Sequence, residues 1–445
     1  KDTTFTPVKF INRETELQLL ETIRKRSLEA STMTVLTGRR RIGKTRLISE
    51  SLRGEPYLYF FVARKDEKLL CEEFSEQMRE VLNISVFGEI NRFKDIFALL
   101  MDQAERRPIN LVIDEFQEFS QINPSVFSDI QHLWDRKKDR TMMHLVLSGS
   151  VHSMMTKIFE HSKEPLFGRA NERFHVKPFS VETLQGVLSE YWPNYGPEDL
   201  LAFYALTGGV PKYVEQFVDK GRLTFDAMLA EILHENSLFL DEGKNVLIEE
   251  FGKEYATYFS ILSLLASSKT SRGEVESVLQ RDIGGYLQRL ERDYQIIRRV
   301  QPVFSKPGGK NMKYEIEDNF LNFWFRFLYK NKGAVEIGNF TYLTNLIKRD
   351  FPTYSGRLLE KFCAEKLALS GEWSEIGSYW ESGFMNQIDL VAINQMEKKA
   401  LFVEVKRDEG QYSEQVLRSK AQNLRRDLGG YAIEYRCMSL NDLKP

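Results

Sequence analysis

Residues 33–45 read MTVLTGRRRIGKT, and this run constrains the fold more than any other stretch of the chain. Met33-Thr34-Val35-Leu36 has the branched, apolar character of a buried strand, and Thr37 and Gly38 turn the chain. Gly38 through Thr45 keep the spacing G-x-x-x-x-G-K-[ST] of a phosphate-binding loop. The chemistry explains the spacing. Gly38 and Gly43 let backbone amides curl around a phosphate, Lys44 bridges terminal phosphates, and the Thr45 hydroxyl is a ligand for Mg²⁺. Arg41, inside the loop, joins them as a nucleotide-binding candidate. The amphipathic RLISESL that follows continues as a helix, so the first part of the chain is expected to be α/β with a parallel sheet.

At 445 residues the chain has room for roughly two to four domains. Its 42% hydrophobic and 28% charged residues are those of a soluble globular protein. A net charge of −2 advertises no global nucleic-acid field, but it averages over domains and leaves room for local basic surfaces. Cys71, Cys363 and Cys437 are odd in number and too far apart for a zinc pattern, which suggests buried thiols in a reducing compartment. The six histidines form no ligand spacing. The most apolar stretch, Phe320–Tyr329, is too short to cross a bilayer, and no signal-peptide core opens the sequence, so a cytoplasmic location without a membrane partner is expected.

Ile109–Ile113 is a run of branched apolar residues that ends in Asp114 and Glu115. This is the Walker B arrangement, in which Asp114 holds Mg²⁺ through water and Glu115 polarises the attacking water. A further strand, His144–Leu147, ends in Ser148-Gly149-Ser150, where Ser148 or Ser150 suits a sensor beside the terminal phosphate. Asn12-Arg13-Glu14 opens a helix, and FINRETEL is similar to the adenine-proximal segment of AAA-type and related signal-transducing ATPases. Arg169, in PLFGR, is placed to neutralise transition-state charge, in its own subunit or a neighbour's. The break Gly208-Gly209-Val210-Pro211 ends one helix and starts another at Pro211, as in the small helical lid of such ATPases.

Residues 251–318 read as three short helices and a basic hairpin, a winged helix-turn-helix. Arg289, Arg292, Arg298, Arg299, Lys306 and Lys310 could meet phosphates. The alternative, a module that only packs protein, stays open because Glu291 and Asp293 share the third helix. An aromatic connector helix is expected over 319–335. Beyond it, SGRLLEKF reads as a helix with Glu360 near its start, and Gln387–Asn394 and Leu401–Arg407 as two strands of a hairpin. Period two places Glu404 and Lys406 on one face, with Asp389 alongside. Two carboxylates and a lysine suit Mg²⁺-assisted hydrolysis of a phosphodiester: Asp389 and Glu404, with Glu360, hold the metal, and Lys406 positions or activates water. The order helix-Glu360, strand IDLVA, strand FVEVK is similar to the PD-(D/E)XK nucleases, with Ile388 where that pattern has Pro.

Taken together, FINRETEL, TGRRRIGKT, LVIDEF, LSGS, PLFGR, TGGVP, IDLVA and FVEVK resemble, over nearly the whole chain, archaeal-type AAA/STAND P-loop ATPases with a C-terminal DUF234 domain, itself PD-(D/E)XK-like. The resemblance implies an ATPase core over 1–180, a helical lid over 181–250, a winged helix and connector over 251–335, and a C-terminal α/β restriction-endonuclease-like domain over 336–445. It implies ATP and Mg²⁺ as cofactors and Mg²⁺-dependent binding or cleavage of nucleic acid, DNA first, with homo-oligomers open. A nucleotide switch or scaffold whose C-terminal domain binds nucleic acid or protein without cutting is the alternative.

Overall fold

Strand β1 (Thr32–Thr37) is buried along its first five residues, as its branched and apolar side chains favour. The computed structural model describes residues 11–83, 88–305, 312–381, 383 and 385–444, with the side chains of Glu249 and Lys253 outside the description. It divides into two units, Phe10–Lys177 and Pro178–Pro445.

In the first unit β1 pairs with β2 (Tyr57–Phe61), β3 (Ile109–Asp114), β4 (Met143–Ser148) and β5 (Glu172–His175) in the spatial order β2-β3-β4-β1-β5, all parallel. Register sets Phe61 beside Asp114, Leu36 beside Ser148 and Thr37 beside His175, so the chemistry-bearing residues gather at the carboxyl edge. Met33, Val35, Leu58, Phe60, Leu111, Ile113, Leu145 and Leu147 face one core with the helices Glu67–Leu82, Phe93–Ala104 and Ser125–Lys137. Rings lock this layer: Phe60 stacks on Phe74 at 4.2 Å between centroids, and Phe93 meets both edge-on. The edge strand β5 was not expected from PLFGRANERFH, because four residues of mixed polarity carry no periodic signal.

The second unit begins with helices Val181–Tyr191, Pro197–Thr207, Pro211–Asp219, Phe225–Ile232 and Phe239–Phe251. The break at Gly208–Val210 stands where the sequence places it. Helices Tyr255–Ala266, Arg272–Leu279 and Gly284–Arg292 follow, then the antiparallel pair β6 (Ile297–Val300) and β7 (Lys313–Ile316). Lys306 and Lys310, between them, lie outside the described residues. The connector is not one helix. It is a short helix Asn319–Phe323, a π-helical turn Trp324–Tyr329 and a further short helix Lys332–Glu336. The wider turn buries Trp324, Phe325, Phe327 and Leu328 together, and Trp324 closes against Gly243, where any Cβ would collide with its ring.

Glu360 does not stand near a helix start. Its helix runs from Phe340 to Leu369, through Pro352, so Glu360 lies about two-thirds along it. The chain closes with β8 (Glu375–Tyr379), β9 (Ile388–Asn394), β10 (Lys399–Lys406) and β11 (Ala432–Ser439) in the order β11-β10-β9-β8. The β9–β10 hairpin is antiparallel, as read from sequence, and β11 joins β10 in parallel.

Candidate functional sites

The phosphate loop is shaped by its glycines. Gly38 has φ +145 and Gly43 φ +87, values that side chains other than glycine rarely adopt, and a Cβ on Gly38 would stand 2.9 Å from the Val176 carbonyl oxygen. Gly43 caps the helix Lys44–Ser51, so its N-terminus opens on the loop. Lys44, almost buried, donates to the carbonyls of Gly38 (2.6 Å) and Arg39 (3.3 Å). Arg41 holds a left-handed backbone in the same turn, φ +68. Arg13 caps the helix Glu14–Arg26 and donates to the Lys177 carbonyl (2.6 Å) and to Glu16 (2.9 Å), which ties the leading segment to the chain leaving β5.

Asp114 and Thr45 meet. Thr45 Oγ1 donates to Asp114 Oδ2 at 3.3 Å, and that oxygen also accepts from the Tyr59 hydroxyl. Oδ1 accepts the Glu115 amide at 3.0 Å. Hard oxygens from a hydroxyl and a carboxylate at the mouth of a phosphate loop fit Mg²⁺. Glu115 has φ +54, a strained value for such a residue, and its Oε2 accepts from Ser150 Oγ at 2.7 Å and from Gln117 Nε2. Of the two sensor candidates, Ser150 therefore reaches the acid. Ser148 is fully buried, with a hydroxyl that has no partner among the described residues. Tyr59 and Gln117 were missed from sequence because one sits inside an apolar strand and the other in the turn after Glu115.

Arg169 is not brought to the loop of its own chain. Asn171 bonds both polar backbone groups of Met33, at the amino end of β1, and Arg169 lies two residues before it. Four strand residues, Thr34 to Thr37, separate Met33 from the loop, on the order of 15 Å. Its guanidinium is clamped by Asp135 (2.8–3.1 Å) and by the carbonyls of Pro165 and Phe167. A role in the site of its own subunit is thereby corrected. Pro211 opens its helix in the second unit, at N1, where proline costs no hydrogen bond.

In the second unit Asp389 and Glu404 stand opposite each other, one step beyond the pair Leu390–Val403. Asp389 Oδ2 accepts the Val405 amide at 2.8 Å. Glu404, 7% exposed, accepts at Oε1 from both Lys406 and Lys420 at 2.8 Å, while Oε2 is buried without a partner among the described residues. Burial, and then the Asp389 charge, push the Glu360 carboxyl up to about 8; Arg357 opposes them. Burial raises Asp389 as well, against the pull of the Val405 amide. For Lys406 burial works downward, yet the bond to Glu404 prevails and raises it. Among the described residues no three acidic, histidine or cysteine side chains form a metal-holding group, so the expected set of Asp389, Glu404 and Glu360 reduces to a pair with Glu360 beside it. Lys313 of β7 stacks over Trp380 at 4.3 Å near these acids, a contribution with no local sequence signal.

Cations of the third helix and the hairpin are engaged within the chain: Arg289 with Glu254, Arg298 with Glu315, and Arg299 with Glu291, each at 3.0 Å. No helix among the described residues is long and apolar enough to cross a membrane.

Residues 10–217 match the family of ATPase domains predominantly from Archaea, and residues 324–420 match a family of archaeal and bacterial proteins of unknown function, DUF234. An uncharacterized protein of Methanocaldococcus jannaschii is 31% identical over 409 residues, which cover 89% of this chain and 87% of the relative. Among solved structures, a Walker-type ATPase of Pyrococcus abyssi is similar with a TM-score of 0.54 at 19% identity, covering 71% of this chain and 96% of that one. The ORC2 protein of Aeropyrum pernix gives 0.48 at 13% identity, covering 76% and 97%. The likeness to the Pyrococcus abyssi structure shows the fold, and the family models and the long relative show the family. The chain belongs to the archaeal-type P-loop ATPases that carry a C-terminal DUF234 domain, and it is an ATP-binding ATPase.

Proposed function

We propose that ATP hydrolysis at Gly38–Thr45 governs the action of the C-terminal domain on nucleic acid, DNA first. In the ATPase site Gly38, Arg41, Gly43 and Lys44 bind the phosphates, Thr45 and Asp114 hold Mg²⁺, Glu115 is the base and Ser150 the sensor, with Arg13 near the base of the nucleotide. The segment at Pro211 belongs to a helical lid over 181–250. Residues 251–335 form a winged helix and connector, and 336–445 a restriction-endonuclease-like domain. The protein works in the cytoplasm; any role of Arg169 in catalysis is in trans, in a homo-oligomer.

The observation that carries the nucleic-acid reading is the meeting of Asp389, Glu404, Lys406 and Lys420 at one end of β9 and β10. The two carboxylates fit Mg²⁺, which would supply Lewis-acid charge at a phosphodiester; Lys406 orients water beside it. A second reading has its own support. Both lysines already neutralise Glu404, and no three-acid group stands there among the described residues, which favours a switch that binds nucleic acid without cutting.

Cleavage of mixed DNA and RNA with Mg²⁺ or Mn²⁺, with and without ATP, tests this, comparing the native chain with Lys406→Ala. Metal-dependent cutting that Lys406→Ala abolishes is the expected result. Binding that depends on nucleotide without any cutting would replace it with the switch, and neither binding nor cutting of any nucleic acid would sink both.

A further inference from the structure

Alternation along β2 sends Leu58 and Phe60 into the core and turns Tyr59 to the opposite face. Parallel register pairs Tyr59 with Val112 and Phe61 with Asp114, so the Tyr59 ring runs diagonally toward the end of β3. Its hydroxyl donates to Asp114 Oδ2, the oxygen on which Thr45 Oγ1 also donates. The Glu115 amide takes one site on Oδ1, while the two hydroxyls fill both acceptor sites of Oδ2, the oxygen that meets Thr45. A phenol keeps its proton at neutral pH, so Tyr59 is a donor there.

A carboxylate that holds Mg²⁺ through water needs an acceptor site for that water's proton. Thr45 can keep its bond, because a hydroxyl can offer its oxygen to a metal while donating its hydrogen. Tyr59 cannot share in this way; its proton fills the place that the water's proton would take. We propose that Tyr59 is a positioning residue of the ATPase site, standing in for a metal-bound water on Asp114 and setting how much Mg²⁺ is needed to seat the nucleotide. This rests on the assignment of Asp114 to the metal's water shell. Tyr59 acts through Asp114, on which its hydroxyl donates.

The test is equilibrium binding of a fluorescent ATP analogue across a Mg²⁺ titration, for the full native chain, Tyr59→Phe and Asp114→Asn. Tyr59→Phe keeps the ring and removes only the competing donor. Its half-maximal Mg²⁺ concentration is expected to fall about fivefold to tenfold, the net worth of one hydrogen bond, while affinity in EDTA stays unchanged. Asp114→Asn is expected to raise the Mg²⁺ requirement. An unchanged or raised midpoint in Tyr59→Phe, with the Asp114→Asn shift present, overturns the role of Tyr59. An Asp114→Asn chain with the native midpoint overturns the assignment of Asp114 beneath it.

Discussion

Ser150 Oγ donates to Glu115 Oε2 at 2.7 Å, so the turn after β4 holds the acid that follows β3. Glu115→Gln keeps the shape and loses the base; phosphate release should fall by about 10²–10⁴ with nucleotide affinity nearly constant. Ser150→Ala should lower turnover by roughly tenfold, since a positioned base loses one of its two restraints. Steady-state turnover alongside equilibrium binding checks both, and a Glu115→Gln chain with native turnover would remove this residue from the chemistry.

His144 gives the first unit a pH dependence. It pairs in register with Thr32, and both ring nitrogens, with the hydroxyls of Thr32 and Thr34, are buried without partners among the described residues. Burial, and then the Arg24 charge, push the imidazole down to about 4. The unfolded chain takes a proton near pH 6.5 and the folded chain only near 4, so stability is full above 6.5 and drains away as pH falls between them. Between pH 7 and pH 5 this amounts to about 2 kcal/mol. Urea midpoints at the two pH values, compared with His144→Leu, check it; the substitution should remove that share of the slope.

Arg169 and Asp135 form a bidentate pair, Nε to Oδ1 and Nη2 to Oδ2, far from the loop. Arg169→Ala should cost about 0.5–1 kcal/mol, as a partly exposed pair does, and leave turnover of dilute, monomeric protein within about twofold. A large loss of turnover under dilution would restore the residue to its own subunit's site.

The phosphate loop was legible because its spacing is enforced by local geometry at Gly38 and Gly43, which needs no distant partner. Asp114 was legible for a similar reason, as the end of an unbroken apolar strand. Tyr59 and Lys420 were not, since each acquires its meaning only by register or by packing across the chain. Arg169 misled because a Gly-Arg loop looks alike at either end of a sheet; only the bonds from Asn171 to Met33 reveal which end it occupies. The helix through Pro352 was cut short in the sequence reading for the opposite reason, that tertiary burial of Phe351, Ser355 and Leu359 outweighs the lost backbone bond.

Tyr204 donates to Glu365 at 2.5 Å, and burial first, then Glu365, hold its hydroxyl well above the usual range. Tyr204→Phe should cost about 1–3 kcal/mol by stranding a carboxylate without its donor. Combined with Glu365→Gln, the two losses should fall short of additivity in a double-mutant cycle; additive costs would show that the pair is not coupled.

The helix Pro197–Thr207 is fastened at both ends: Glu198 to Arg407, which follows Lys406, and Tyr204 to Glu365, a little beyond Glu360. Arg407 also meets Ser355 of that same long helix. Leu200 through Thr207 are all buried in this packing. A fragment cut after residue 250 would thus strip the covering from that helix and expose the apolar run Leu200–Leu206. The ATPase-family match ends at residue 217, but the chain's own seam falls at Lys177–Pro178. Heredity and folding divide this protein at different places, and the helices between the two boundaries are inherited with one half and stabilised by the other.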